Sequence, residues 1–174
     1  RWLLEPLDLS ATRPADQRNL EGLAAGYIQG EALFGLPPKV TRDGVLVYHP
    51  ATEWTGGGLV TTASDLARWA ALLCRGRALP GRYLDRLLDA VPKDSTQQAR
   101  FGDDVRYGLG LTLRSTALGP AYGHRGWTPG YLSVFEYYPQ LDVAVALQVN
   151  ATGPYDLSRY AVHLAHAAVC DDRH

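Results

Sequence analysis

Nine residues in the C-terminal half, Gly123 to Tyr131 (GHRGWTPGY), set an imidazole, a guanidinium and two large aromatics among three glycines and a proline. His124 carries a group that titrates near neutrality and can hold a carboxylate or a developing charge. Gly126, two residues on, lacks the side chain that would keep another backbone away from a strand edge. A ligand can lie along such an edge and pair with it. Taken alone, His124 reads more simply as a hydrogen-bonded structural residue. The glycine beside it is what favours a site.

A nucleophile is harder to find. No serine among Ser10, Ser64, Ser95, Ser115, Ser133 and Ser158 stands in a Gly-x-Ser-x-Gly elbow. A Ser-x-x-Lys pair would set a serine and its base one helical turn apart. The two lysines, Lys39 and Lys93, are preceded at that spacing by Leu36 and Ala90. Ser133 with His124 makes a conceivable dyad, but Ser133 is more simply a strand residue. For metal, His163, His166, Cys170 and His174 recur at helical spacing and are ligand types that zinc accepts. They lie opposite the apolar stripe of their helix and near a charged terminus, so a solvated face is the better reading. Gly56-Gly57-Gly58 precedes a helix as phosphate loops do, yet lacks the Lys-Ser/Thr of such a loop. Close backbone packing is preferred there.

The elements that must position these residues follow from periodicity. Residues 1–60 carry Pro6, Pro14, Pro37, Pro38 and Pro50, which disfavours long regular elements. A short element around Leu20–Tyr27 and a strand at Val45–Tyr48 are expected. Thr62-Ala-Ser-Asp65 has the form of a capping box, Leu66, Trp69, Ala70 and Leu73 then follow a helical period, and Gly76 closes the helix. A second helix is expected from Gly81 or Arg82 to about Ala90, with Pro92 as its stop. Tyr107–Arg114, Tyr122–Arg125, Tyr131–Tyr138 and Val143–Val149 then read as strands, the last two joined by a turn at 139–142. A final helix carries Leu157, Tyr160, Ala161, Leu164 and Ala168 as its stripe. The expected class is α+β, an antiparallel sheet flanked by helices, with 1–60 an irregular segment of the helical and loop region and 61–174 the rest of one incomplete domain.

Bulk composition narrows the partners. A net charge of −1 with mixed signs gives no case for nucleic acid, and no apolar run is long enough for a membrane span. Two cysteines, Cys74 and Cys170, are too few for a disulfide framework; one bridge between them is the alternative to the expected pair of buried free thiols. The chain opens on Arg1-Trp2-Leu3-Leu4 and holds no Met, so a piece of a longer protein is expected, with any targeting segment upstream.

Three stretches in order, GGGLVTTASDLARWAALL, YGLGLTLR and YGHRGWTPGYLSVFEYYPQLDVAVALQVN, resemble the C-terminal portion of the serine β-lactamase and D-alanyl-D-alanine peptidase family. It looks most like the branch with class C β-lactamases, D-Ala-D-Ala carboxypeptidases, D-aminopeptidases and related esterases. The resemblance spans residues 56–170, with a weaker likeness at LLEPLDLSATRP. That family uses Ser-x-x-Lys, then Tyr-x-Asn, then Lys-Thr-Gly or His-x-Gly on a strand. His124-Arg125-Gly126 matches the third motif, while neither Asn19 nor Asn150 has a tyrosine two positions before it.

The resemblance implies acyl transfer through a serine ester on a β-lactam, a D-amino-acid peptide or an ester. His124 would hold substrate and polarise the site, and Gly126 would let substrate lie along the strand. The Trp127 backbone N–H would supply half of an oxyanion hole, the other half coming from the serine. Arg125 replaces a usually small residue, and its side chain either points away or narrows the site. The first expectation is therefore the C-terminal segment of a β-lactamase-like serine hydrolase, inactive by itself and without a cofactor or metal. It would bind a small-molecule or peptide substrate and need its missing N-terminal segment, or pair with itself. The alternative is a non-catalytic binding or partner module that keeps the fold.

Overall fold

The computed structural model describes residues 3–30, 34–80, 82–92 and 105–171; Lys93, Ser95 and His174 lie outside them. Among the prolines of the first part the strands are two residues long. These are β1 (Arg13–Pro14), β2 (Tyr27–Ile28), β3 (Thr41–Arg42), β4 (Val45–Leu46) and β5 (Leu59–Val60), with one helical turn, α1 (Trp54–Gly57), before the last. Only Tyr27 of the expected Leu20–Tyr27 element joins a strand, and the expected Val45–Tyr48 strand shortens to β4. Asp43 and Gly44, at φ 51° and 79°, turn the chain sharply between β3 and β4. The segment still buries a core of Leu20, Ile28, Val40 and Leu46. β1 pairs with β5, which fastens residues 13–14 beside the glycine cluster.

Helix α2 (Ala63–Cys74) starts where its sequence signals it. Thr62 accepts from the Asp65 N–H at 3.2 Å, which satisfies one orphan donor of the first turn. Asp65 does not reach back to Thr62. Its short carboxylate accepts from Ala11 N and Thr12 Oγ1 at 2.9 and 2.8 Å, tying the helix to the N-terminal segment. Gly76 ends it at φ 68°. Helix α3 (Arg82–Leu88) stops two residues short of the expected Ala90.

The main sheet is an antiparallel meander of β6 (Val91–Pro92), β7 (Val105–Tyr107), β8 (Thr112–Thr116), β9 (Gly119–Thr128), β10 (Tyr131–Tyr138) and β11 (Val143–Val149), adjacent in chain order. β10 and β11 have the expected bounds. The expected Tyr107–Arg114 strand is instead two, because the chain turns at Gly108–Leu111. A Cβ on Gly108 would come within 1.9 Å of the Leu87 carbonyl, and Gly110 has φ 79°. β9 is longer than the expected Tyr122–Arg125. Its extension is carried by pairing with β10 through Thr128 and by the Pro129-Gly130 turn, where Gly130 has φ 87°.

A short β12 (Ala151–Thr152), parallel to β2, leads into helix α4 (Leu157–Asp171). Alternate residues of β10 serve opposite faces. Val134 and Tyr138 meet Leu157, Ala161 and Ala165 of α4, whereas Phe135 meets Ala70 and Leu73 of α2. Both faces of β10 are thus covered, and Val134–Tyr138 are all buried. The buried stripe of α4 differs from the expected one. Leu157, Ser158, Ala161 and Ala165 are buried, while Tyr160 and Leu164 are 56% and 46% exposed. Small side chains let α4 lie close to the sheet, so the alanine row packs and the bulkier row turns outward. The cysteines also differ from expectation: Cys74 is buried, Cys170 is exposed, and both are free.

Candidate functional site

The β8 strand pairs with β9 only from Gly119 to Gly123, whereas β10 follows β9 from Tyr122 to Thr128. From His124 to Thr128, β9 therefore has a strand on one side and, among the described residues, an open edge on the other. Gly123 turns its carbonyl toward β8, where Thr112 Oγ1 donates to it at 2.8 Å. Backbone groups alternate sides along a strand. Arg125 and Trp127 accordingly turn their N–H and C=O the same way, out of the open edge. Beside this edge is a cleft of about 800 Å³, lined by Arg125, Gly126, Trp127 and Thr128 and, across from them, by Tyr48, Glu53, Gly56, Gly57 and Thr61. Its walls mix apolar residues such as Leu20, Leu46 and Val60 with a few polar groups, as ligand clefts do.

The individual side chains part company. His124 Nε2 is 2.7 Å from the Tyr107 hydroxyl, with the two rings edge-on at 5.8 Å between centroids. Ser133 stands opposite Gly126 rather than His124, so the conceivable Ser133–His124 dyad is not formed. Arg125 points toward α4, where its Nε donates to Ser158 Oγ at 2.9 Å and Asp156 lies 3.9 Å from its Nη2. Trp127 is 44% exposed and lies edge-on to Phe34 at 6.4 Å. A Cβ on Gly126 would fall 2.2 Å from Ser133 Oγ, so the clearance on that face is shared with the serine hydroxyl. A Cβ on Gly130 would meet Val40 Cγ2 at 2.4 Å, so this turn is fitted against the N-terminal core.

Several residues that build the site carry no local sequence signal. Tyr107, Ser158 and Asp156 reach it across the fold, and Tyr48 and Tyr131 brace the turn that ends β9. The Tyr48 hydroxyl donates to Pro129 O at 2.9 Å, and that of Tyr131 to Ala24 O at 2.7 Å. Burial pushes both phenols up, with the neighbouring Tyr48 adding to the effect on Tyr131, so both stay neutral donors. In the glycine cluster only Gly58 is tightly packed, with a Cβ meeting Trp54 O at 2.2 Å; Gly56 and Gly57 leave ordinary room. His163, His166 and Cys170 are exposed on α4, with Cys170 Sγ 3.9 Å from His166. No group of three ligand-type side chains among the described residues could hold a metal. No helix among them is long and apolar enough to cross a membrane.

An antiparallel sheet with helices on both faces and an open strand edge over a cleft defines a fold of the β-lactamase and transpeptidase type. The sequence model of the Beta-lactamase family matches residues 1–169, and the chain belongs to that family, which is serine hydrolase-like. Among solved structures, the D-amino acid amidase from Ochrobactrum anthropi SV3 (complexed with L-phenylalanine) superposes with a TM-score of 0.74 at 21% identity. It matches over 99% of this chain and 52% of its own. The penicillin binding protein from Bacillus halodurans gives a TM-score of 0.64 at 20% identity, over 97% of this chain and 47% of its own. These likenesses are of fold. A curated relative, the L-cysteine:1D-myo-inositol 2-amino-2-deoxy-alpha-D-glucopyranoside ligase of Catenulispora acidiphila, is 37% identical over 73 residues, 41% of this chain and 15% of the ligase. The chain thus spans about half of the two solved structures and a small part of the ligase.

Proposed function

We propose that this chain supplies the substrate-lining strand of a serine acyl-transfer site whose nucleophile lies in another segment. The open edge of β9, of which Arg125 to Thr128 line a cleft of about 800 Å³, carries this reading. An extended acyl substrate lies along that edge and pairs with the backbone of Arg125 and Trp127. The outward N–H of Trp127 donates to the developing oxyanion. His124 holds the substrate end nearest β8, and Gly126 keeps the edge clear between them. Arg125, its head tied to α4, borders the cleft and limits its width there. The substrate class is an amide or ester of small size, the D-amino-acid amide and the β-lactam being the two named among the similar proteins.

The half-length match also supports a partner segment. β11 is the last strand of the sheet on its side among the described residues, and Val143–Val149 holds neither charge nor proline to protect an edge. Tyr160 and Leu164 on α4 add exposed apolar surface. A further segment of the same protein covers both. Mixing the chain with an upstream segment bearing Ser-x-x-Lys and Tyr-x-Asn tests the reading, using a chromogenic β-lactam, a D-amino-acid amide and an ester. Hydrolysis by the mixture and by neither part alone is expected. Hydrolysis by the chain alone, or none by the mixture, overturns it.

A further inference from the structure

Tyr107 ends β7 and pairs with Thr112, the first residue of β8, while Thr112 pairs on its other side with Gly123. Tyr107 and His124 consequently meet past the end of β8, where the strand between them has stopped. The chain around Tyr107 is tightly set. Gly108 N donates to Leu111 O at 2.8 Å, Leu109 N donates to Leu87 O at 3.2 Å, and no side chain fits at Gly108. The phenol is thus delivered to His124 Nε2 from a fixed backbone, at 2.7 Å and with the rings edge-on.

We propose that Tyr107 is a positioning residue that holds His124 in one tautomer, with the proton on Nδ1. A phenol is a strong donor and a weak acceptor, because its oxygen lone pair is shared with the ring, whereas an unprotonated imidazole nitrogen is a good acceptor. In neutral imidazole one nitrogen donates and the other accepts, and the partner of one fixes the state of the other. The hydroxyl therefore donates to Nε2, and the proton of the neutral ring sits on Nδ1. His124 is then not a general base through Nε2, whose lone pair Tyr107 holds, but a hydrogen-bond donor of set orientation.

The catalytic consequence rests on the acyl-transfer reading, but the tautomer does not, so the test separates the two. The imidazole nitrogens of the 15N-histidine-labelled protein are measured at a pH where His124 is neutral. His124 is assigned among the five histidines by the signal lost in His124→Gln. The expected result is a pyrrole-like Nδ1 and a pyridine-like Nε2 in the wild type, and movement of both shifts toward the average of the tautomers in Tyr107→Phe. A protonated Nε2 in the wild type overturns the proposal even if Tyr107→Phe fails to fold. So do unchanged shifts in a folded Tyr107→Phe.

Discussion

Gly123 and Gly126 stand three residues apart on β9 and answer a methyl group differently. A Cβ on Gly123 would lie 2.1 Å from the Phe135 carbonyl, a backbone atom that cannot move without disturbing the β9–β10 ladder. A Cβ on Gly126 would meet only the Ser133 hydroxyl, which turns aside by rotation about χ1. Gly123→Ala is expected to destabilise the fold by about 2 kcal/mol in urea denaturation. Gly126→Ala is expected to leave the midpoint within the range of ordinary surface substitutions while weakening substrate capture. That β9 lacks a side chain at Gly126 was legible in the His-x-Gly spacing. The role of Gly123 was not, because it depends on which carbonyl of the neighbouring strand faces it. For the same reason the direction of Arg125 stayed open until Ser158, 33 residues away, came into contact with it.

At the scale of elements, two buried features hold β8, β10 and the helices together. Arg114 Nε and Nη2 of β8 donate to both carboxylate oxygens of Glu136 on β10, at 2.8 and 2.6 Å, and Nη2 also donates to Ser158 O of α4 at 3.1 Å. The Tyr138 hydroxyl donates to the same carboxylate. Glu136 is 4% exposed, so Glu136→Gln leaves Arg114 without its counter-charge in a poorly hydrated place. A loss of about 3 kcal/mol in chemical denaturation is expected, with part of it regained when Arg114→Met is added. In α2, burial pushes the Cys74 thiol up to about 12 from its ordinary 9.0, so folding favours the protonated form. That contribution is whole below pH 9 and is lost as the pH rises toward 12, which equilibrium unfolding across the alkaline range will register as falling stability. A thiol reagent should modify Cys170 at once and Cys74 only on unfolding. The helices and the β10–β11 hairpin were legible because caps, glycine stops and alternation are local. The break at Gly108–Leu111 and the buried face of α4 were not, since each is settled by contact with α3 or with the sheet.

The described residues form a sheet with one long strand left partly unpaired among them, a cleft beside that strand, and an outer strand and helix face with exposed apolar surface. Each of these belongs to a serine hydrolase-like fold of which the chain spans about half the length of its solved relatives. The fold class, and the setting of His124-Arg125-Gly126 on a strand, were legible in the order of the sequence motifs. The cleft itself was not, because its opposite wall comes from residues 15–63, whose short strands give little periodic signal. The central proposal is that this chain forms a wall of the site and that the nucleophile lies in another segment. Intact-mass and peptide mass spectrometry after treatment with a fluorescent penicillin and with a fluorophosphonate test it most directly, on the chain alone and in complex with a Ser-x-x-Lys segment. The account predicts no adduct anywhere in residues 1–174 and a single adduct on the serine of the other segment. A covalent adduct on a serine of this chain would contradict it.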